Sequence, residues 1–278
     1  MPPVDIDATV IANTRLSSEY SVLALAAPEV GARTQPGQFV MVKPVGVSDP
    51  LLRRPFSVFE VLRNAQGAIT GVSILNKRAG RSTRKLYDLE VGDVVSCLGP
   101  LGQPFKPVTP PTEAWMVAGG VGLAPFATLA ESLADAGTLT TLFYGARSGS
   151  ELFYLEFFER LGITLVLSTE DGSRGAKSRV TGPLEEALKQ IGSGAAFETG
   201  PPAAMIYACG PQPMLEAVAK LAARYRQPSQ VSVERVMGCG LGGCYSCVVP
   251  VKHGDEEANL VRSCISGPVF DGAELVWD

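Results

Sequence analysis

The chain has 278 residues, about twice the usual length of one domain, so two or three packed units are expected. Hydrophobic residues make up 46% and charged residues 19%, with 30 glycines and 21 prolines, which is typical of a loop-rich globular protein and argues against disorder. Lys plus Arg total 24 against 28 Asp plus Glu, and a net charge of −4 without a basic stripe argues against a nucleic-acid partner.

The start of the sequence, MPPVDIDATV, has neither a basic nor an apolar leader segment, so we expect a cytoplasmic protein. Long uncharged stretches, such as 114–130 and 236–251, are interrupted by glycine and proline and fall short of the ~20 apolar residues of a membrane span. We therefore expect no membrane association. The single histidine, His253, lies in a polar KHGDEE stretch, which excludes His-dependent catalytic triads and His-rich zinc sites.

Residues 1–106 contain short β-patterned runs separated by glycine and proline. Such spacing predicts an antiparallel β-barrel. The runs are 9–11, 21–25, 38–42, 56–62, 69–75 and 93–98. A proline-rich connector, 107–111, separates this region from the next.

Residues 107–235 alternate between strand-like and helical patterns, which predicts a parallel α/β sheet. The strand-like runs are 114–118, 140–144, 163–168 and 205–208. Helical patterns follow three of them, and the last one has an apolar stripe formed by Met214, Leu215, Val218, Leu221 and Ala222. The predicted fold is therefore a multidomain β plus α/β protein with a small C-terminal module, 236–278.

Four of the six cysteines lie in this last segment. Cys239, Cys244, Cys247 and Cys264 have the spacing C-x4-C-x2-C-x16-C, which is the plant-type [2Fe-2S] ligand spacing. Glycines at 238, 240, 242 and 243 allow the backbone to direct N–H groups at a cluster. A four-cysteine zinc site is the alternative, although such sites usually pair two short knuckles across a longer loop.

A cation, a ring and a hydroxyl follow one another in Arg54-Pro55-Phe56-Ser57. An arginine suits a pyrophosphate, an aromatic ring can stack on a heterocycle, and a serine can hydrogen-bond a ring nitrogen. An edge strand with a solvated arginine is the alternative. Further on, 80–86 can begin a helix whose first amides receive phosphate.

Two glycine turns follow strands in the α/β half. The first, 119–125, matches two glycines of a dinucleotide fingerprint, with a proline in place of the third. The second is Cys209-Gly210-Pro211. Both are expected at the carboxyl edge of the sheet. Cys209 is either a small buried side chain or a group beside a bound nicotinamide.

The motifs RPFS, GPLGQPF, GGVGLAP, YGARS, STEDGS and ACGPQPML, in this order, resemble the ferredoxin-NADP reductase superfamily over residues 1 to about 235. With the cysteine motif and SGPVF in the tail, the chain resembles the electron-transfer subunits of the NAD-linked (class 1B) dihydroorotate dehydrogenases. The resemblance implies an FAD-binding barrel (1–106), an NAD-binding α/β domain (107–235) and a [2Fe-2S] module (236–278).

The resemblance also implies site residues. FAD would be held by Arg54, Pro55, Phe56, Ser57, Leu75, Asn76, Lys77, Ser82 and Thr83, although GRST departs from the family pattern at the last two. The dinucleotide would be framed by Gly120, Gly122, Pro125, Gly210 and Pro211, with Ser57 and Cys209 beside the reacting rings. Iron would be bound by Cys239, Cys244, Cys247 and Cys264.

The function implied is oxidation of dihydroorotate with NAD in pyrimidine (UMP) biosynthesis. Electrons would pass from the FMN of a separate catalytic subunit through [2Fe-2S] and FAD to NAD, in a heterotetramer of two plus two chains. A flavin suits this position because it exchanges electrons singly and in pairs.

Two alternatives of other classes remain. One is an NAD(P)H-dependent ferredoxin-type reductase or the reductase subunit of another redox complex. The other is a redox sensor without turnover. The choice between NAD and NADP also stays open, since Arg147 can tolerate a phosphate.

Overall fold

The computed structural model describes residues 2–46, 48–191, 202–254 and 256–277, which fall into two compact units. The first unit consists of Met1–Pro104, Arg235–Val248 and Arg262–Pro268. The second unit consists of Phe105–Glu234, Val249–Val261 and Val269–Asp278. The cysteine segments of the tail therefore belong to the first unit, and the rest of the tail belongs to the second.

The first unit contains a closed six-stranded barrel in which every neighbouring pair is antiparallel. The strand order around the barrel is β1-β2-β5-β4-β3-β6. Its strands are β1 (Val4–Arg15), β2 (Tyr20–Ala26), β3 (Phe39–Pro44), β4 (Arg54–Arg63), β5 (Ile69–Lys77) and β6 (Val94–Leu101). Each of the six predicted runs overlaps one of these strands to within one residue, so the prediction of a barrel is confirmed.

Alternation of side chains separates the barrel interior from its outer surface. In β3, Val40 and Val42 belong to the interior apolar cluster, whereas Phe39 and Met41 belong to a second cluster on the outside. Two helices accompany the barrel, α1 (Pro28–Gly31) and α2 (Arg81–Asp88). Helix α2 is held at its end by the Asn13 amide, which donates to the carbonyls of Leu86, Tyr87 and Leu89.

The second unit is built on a seven-stranded sheet of order β10-β9-β8-β7-β11-β12-β15. Its strands are β7 (Glu113–Gly119), β8 (Thr140–Ala146), β9 (Thr164–Thr169), β10 (Ala176–Lys177), β11 (Ala204–Cys209), β12 (Ser229–Ser232) and β15 (Val269–Asp271). Its helices are α3 (Phe126–Asp135), α4 (Leu155–Arg160), α5 (Thr181–Ile191) and α6 (Gln212–Arg224). All neighbouring strands are parallel except β12 and β15. The prediction of a parallel α/β domain is confirmed.

Strand order reverses between β7 and β11. From β7 the chain moves outward through β8, β9 and β10, and then returns to the other side of β7 with β11. In open α/β sheets, ligands bind in the crevice at the carboxyl ends of the strands where this reversal occurs. The two predicted glycine turns follow β7 and β11, so both lie at the reversal point.

Four elements of the seven-stranded sheet and its helices lie outside the predicted pattern: β10, α5, β12 and β15. Helix α5 buries only Leu184 and Leu188 among its described side chains, so its apolar stripe is narrow. Strand β15 lies in the cysteine-bearing tail yet pairs antiparallel with β12. The remaining elements are the two-stranded ribbon of β13 (Val248–Val251) and β14 (Asn259–Arg262) and the short helix α7 (Ser263–Ser266).

Candidate functional site

The four tail cysteines converge in the first unit as two linked pairs. Cys244 is hydrogen-bonded to Cys239, and Cys264 is hydrogen-bonded to Cys247. Cys239 also lies within electrostatic range of Cys264, which joins the two pairs. Over the described residues, no three Cys, His, Asp or Glu side chains surround one metal position. Two pairs fit a [2Fe-2S] cluster, in which each iron takes two thiolates, better than zinc, whose ligands surround one ion.

Backbone amides of the cysteine loop are directed at the sulfurs. The Leu241 N–H donates to Cys239 Sγ over 3.4 Å, and the Gly242 N–H donates to Cys264. Gly242 has a φ of +79°, and a Cβ there would lie 2.8 Å from Ile265. Only glycine meets both conditions without strain, so the loop can stay wrapped around the sulfurs.

An apolar patch on the outside of the barrel supports this loop. Met237, Cys247 and Cys264 pack in one cluster with barrel residues of β3 and β6; these are Phe39, Met41, Leu98 and Leu101. Gly240, with a φ of +72°, approaches Met41 so closely that a Cβ would lie 2.7 Å from its Cγ. The cluster loop is therefore fixed on the rigid barrel wall.

The two sulfur pairs differ in their surroundings. The Ser246 hydroxyl and then its backbone lower the pKa of the exposed Cys244 thiol to about 6. Burial, followed by the neighbouring Cys247 thiol, raises the pKa of Cys264 to about 12. One end of the cysteine site thus favours thiolate in water, while the other requires a bound cation to hold its thiolate.

The start of β4 carries the predicted flavin residues on two faces. Pro55 and Ser57 are paired with Met41 and Phe39, so they lie on the outer face that also supports the cysteine loop. Phe56 faces the other way, and its partly buried ring packs against the interior cluster. The structure therefore brings Ser57 and the cysteine loop to one face of the barrel wall.

The end of β5 and the start of α2 form a second part of the predicted flavin site. Leu75 and Asn76 are buried, and the Asn76 amide donates to the Thr83 carbonyl over 3.0 Å. Asn76 Oδ1 is buried without a hydrogen-bond partner among the described residues. A ligand that brings an N–H or O–H donor would satisfy this oxygen. Lys77 stands at the end of β5 with its ammonium over the Tyr20 ring.

Thr83 shapes the beginning of α2. Its Oγ1 accepts the N–H groups of Gly80 and Ala79 over 2.8 and 2.9 Å. These bonds occupy the oxygen that a ligand donor would need, so Thr83 orders the turn for a ligand at the helix start. Ser82, which departs from the family pattern, is buried. Open space surrounds the Gly80 Cα, where a phosphate can approach the first amides.

The two nucleotide turns interlock through glycine. A Cβ on Gly122 would lie 2.1 Å from the Cys209 carbonyl oxygen, and a Cβ on Gly119 would lie 2.7 Å from Met214 Sδ. Gly120, by contrast, has a φ of +54° and open space around it. Gly122 and Gly119 therefore allow the two turns to pack closely, while Gly120 leaves room for a bound ligand. Pro125 precedes α3, and Pro211 precedes α6.

Cys209 ends β11 at the strand-order reversal. Burial raises the pKa of its thiol to about 12, against a smaller opposing effect of the Ser232 hydroxyl. The thiol therefore stays protonated at neutral pH and acts as a small neutral group. A neutral, polarisable thiol is better suited to contact with a nicotinamide ring than to proton transfer.

Arg147 follows β8 and is engaged by a carboxylate. Its guanidinium contacts both carboxylate oxygens of Glu151, with the shorter distance 2.7 Å. The Glu170 and Asp171 amides donate to the carbonyls of Ala146 and Arg147, which brings two more carboxylates to the same turn. The surroundings of Arg147 are acidic, which the sequence analysis did not foresee.

Sequence analysis also missed two groups around the cysteines. Ser246 lies 3.2 Å from Cys244 Sγ through its hydroxyl. Arg262 donates to the Gly242 carbonyl over 2.8 Å, and its guanidinium lies 4.7 Å from the centre of the Tyr245 ring. The spacing of Ser246 within C-x2-C was a usable signal, whereas the approach of Arg262 depends on the fold.

Within the described ranges, no helix has the length and apolarity needed to cross a membrane.

Family comparisons match both halves of the site. The family described as the iron-sulfur cluster binding domain of dihydroorotate dehydrogenase B matches residues 234–276. The oxidoreductase NAD-binding domain matches residues 116–220. Two sequence relatives are each named dihydroorotate dehydrogenase B (NAD(+)), electron transfer subunit. The protein of Desulforamulus reducens is 34% identical over 272 residues, 98% of both chains, and that of Geobacillus kaustophilus is 37% identical over 270 residues, 96% of both chains.

Solved structures support the fold. An NADH-dependent reduced ferredoxin-NADP oxidoreductase studied for flavin-based electron bifurcation aligns with a TM-score of 0.78 at 24% identity, over 97% of this chain and 90% of that one. A ferredoxin reductase of carbazole 1,9a-dioxygenase aligns with a TM-score of 0.67 at 21% identity, over 82% of this chain and 67% of that one. The predicted resemblance is confirmed by these comparisons, and with it the assignment of iron–sulfur and NAD-binding domains.

Proposed function

Because the chain belongs to the family of the electron transfer subunits of dihydroorotate dehydrogenase B (NAD(+)), an oxidoreductase, we propose that it links dihydroorotate oxidation to NAD reduction. In this proposal, electrons leave the FMN of a separate catalytic subunit and reach NAD through [2Fe-2S] and FAD sites of this chain. The product would enter pyrimidine (UMP) biosynthesis. The observation that carries the proposal is the joint position of the paired cysteines and Ser57 on one face of the barrel wall.

The cysteine pairs fit the cluster that the proposal requires. Cys239 and Cys244 would hold one iron, and Cys247 and Cys264 the other, since hydrogen bonds already group the sulfurs in this way. The barrel wall keeps the loop rigid, which reduces the rearrangement that accompanies a change of charge at the site.

The flavin residues divide into contact and positioning groups. Arg54, Pro55, Phe56 and Ser57 would hold FAD along β4, and Leu75, Asn76 and Lys77 would do so at the end of β5. Ser82 and Thr83 would order the start of α2. A bound flavin exchanges electrons singly or in pairs, which joins a one-electron centre to nicotinamide. Asn76 contributes the unpaired buried oxygen that fits a ligand donor.

The second unit would bind NAD at the strand-order reversal. Gly120 provides the open approach, and Gly122, Pro125, Gly210 and Pro211 shape the two turns. Cys209 would contact the nicotinamide as a neutral thiol. The proposed functional division is accordingly 1–106 for FAD, 107–235 for NAD and 236–278 for the cluster, although the compact units divide the tail between them.

The partner would dock beside the cysteine loop. Tyr245 and Leu241 are 62% and 55% exposed, and Ile265 is exposed as well. Tyr245 has a φ of 57°, a left-handed conformation that is uncommon for a tyrosine. An apolar surface around a one-electron centre suits a stable protein contact. We propose the FMN-containing catalytic subunit as this partner, in a complex of two plus two chains.

The decisive experiment combines the anaerobically purified chain with the dihydroorotate-oxidising flavoprotein of the same organism. Dihydroorotate and NAD are added, and NADH absorbance is followed. The proposal expects NADH formation that requires both chains. If NADH reduces the flavin and the cluster but dihydroorotate yields no NADH, the pyrimidine assignment fails. The alternative of a reductase for another acceptor would then stand.

Tyr245→Asp is expected to weaken binding of the catalytic subunit about tenfold or more, because interface tyrosines often contribute heavily to affinity. The carboxylate would also pair with Arg262, which lies over the present ring. Titration calorimetry of the two purified subunits measures the change, and Tyr245→Phe, which keeps the ring, is the control. Unaltered affinity of a Tyr245→Asp protein with an intact cluster spectrum would remove Tyr245 from the interface.

Glu151→Gln is expected to raise the preference for NADP over NAD roughly tenfold, measured as the ratio of kcat/KM values. The substitution removes the carboxylate charge of the 2.7 Å ion pair, so a phosphate beside the Arg147 guanidinium would no longer compete with that charge. Glu216→Gln is the matched control, since it breaks another i,i+4 ion pair of the second unit, with Lys220. An equal ratio in both variants would show that Glu151 does not set the preference.

A further inference from the structure

Ser246 stands between two ligand cysteines and is joined to the loop on both sides. Its Oγ lies 3.0 Å from the Gly238 nitrogen and 3.2 Å from Cys244 Sγ. The Gly238 N–H is a donor only, so Oγ must accept that bond. The hydroxyl proton is then left for another partner.

The direction of the second bond follows from the chemistry of an iron-bound cysteine. A cysteine that ligates iron is a thiolate and carries no proton to donate. Since the ligand sulfur has no proton to donate, the contact of 3.2 Å is an O–H donated by Ser246 to Cys244 Sγ. The loop thus aims one hydroxyl proton at one ligand sulfur.

Gly238 allows this arrangement by its lack of a side chain. A Cβ at this position would lie 3.2 Å from Cys244 Sγ and 3.4 Å from Ser246 Oγ, closer than most real contacts. The Gly238 amide therefore reaches Ser246 without displacing it. Elsewhere in the described part of the loop, Cys239 and Cys264 receive backbone N–H groups.

We infer that Ser246 is a positioning residue that raises the reduction potential of the cluster through its hydrogen bond to Cys244 Sγ. One electron enters the cluster on reduction, no bond is formed or broken, and the proton stays on Ser246 Oγ. A donated hydrogen bond stabilises the more negative state of a thiolate centre, and hydrogen bonds to sulfur are a recognised determinant of cluster potential. This inference rests on the proposed cluster site.

The consequence for electron flow is specific to the Cys239–Cys244 pair. Cys244 and Ser246 are both exposed, next to the proposed docking surface of Tyr245 and Leu241. Docking removes water there, so the hydrogen bond strengthens when the partner is bound. Loss of this hydrogen bond should therefore change the cluster potential more in the assembled complex than in the free chain.

The test is EPR-monitored redox titration of the full chain with its cluster, alone and in complex with the catalytic subunit. Ser246→Ala is expected to lower the midpoint potential. The one-electron equilibrium constant for reduction should fall roughly three- to tenfold, where tenfold corresponds to ~59 mV. Ser246→Thr, which keeps the hydroxyl, should restore the wild-type potential. Ser266→Ala, an exposed serine on the same short helix as Cys264, is the control and should change nothing.

An unchanged or higher potential in Ser246→Ala, with an intact [2Fe-2S] spectrum, would overturn this inference and leave the proposed function standing. If Ser246→Ala fails to hold the cluster, Ser246→Gly carries the same measurement. Loss of the cluster from both variants would also overturn it, because Ser246 would then be required for assembly. Absence of a [2Fe-2S] spectrum from the wild-type chain after anaerobic reconstitution would instead sink the proposed function.

Discussion

Gly122→Ala is expected to lower the free energy of unfolding of the second unit by about 3 kcal/mol, at the upper end of overpacking effects. The added methyl would lie 2.1 Å from the Cys209 carbonyl oxygen and 2.4 Å from its carbon, and both are backbone atoms that cannot rotate away. The two nucleotide turns would have to separate. We also expect the rate of NADH oxidation to fall, because the two turns form the proposed NAD site.

Urea unfolding followed by tryptophan fluorescence measures this loss selectively. The chain has two tryptophans, Trp115 and Trp277, and both belong to the second unit. Gly120→Ala is the matched control, since it adds the same methyl in open space at a φ of +54°. Its left-handed backbone costs about 1 to 2 kcal/mol. A Gly122→Ala protein no less stable than Gly120→Ala would refute the interlocking of the turns.

Cys264→Ser is expected to abolish NADH formation coupled to dihydroorotate, by at least about a hundredfold. Loss of groups that merely support a metal ligand already weakens affinity or activity 10- to 100-fold, so loss of a ligand should exceed this range. Cys264 is buried in the apolar patch beside Cys247, where no exposed group can take its place. Iron and sulfide content per chain and the visible spectrum follow the cluster itself.

Cys97→Ala is the control for this substitution. Cys97 lies in the interior cluster of the barrel, where burial raises the pKa of its thiol to about 12. Its removal should leave the iron content and the coupled activity unchanged. NADH-dependent reduction of a dye that accepts electrons from the flavin should persist in Cys264→Ser, because the proposed FAD and NAD sites do not include Cys264. A Cys264→Ser chain with full iron content and coupled activity would show that Cys264 is not a ligand.

The periodic parts of the structure could be predicted from the sequence. Apart from the β1–β2 turn, the barrel strands are separated by segments that contain glycine or proline. The valines of β3 alternate with outward residues such as Met41, which the period of two reflects. The cysteine spacing predicts four ligands; three of these cysteines share one short loop, and Cys264 joins them from α7. The glycine turns were also recognisable, since each follows an apolar strand.

Contacts between distant segments could not be predicted. The pairing of β15 with β12 depends on register across the cysteine segment, and a strand of three residues carries little periodicity of its own. The capture of Arg147 by Glu151 likewise depends on side-chain geometry after β8. Thr83 matched a binding motif, but its use as a cap for α2 emerges only from the turn at Gly80.

The division of the tail between two compact units makes the cysteine segment a poor candidate for transplantation. Val269, Phe270 and Asp271 supply the edge strand that covers β12, so a chain truncated before Val236 would leave the main-chain groups of β12 open to pairing with other molecules. It would also uncover Phe39 and Met41 on the barrel wall. Loss of the redox segment by recombination would therefore yield an aggregating protein rather than a simpler flavoprotein.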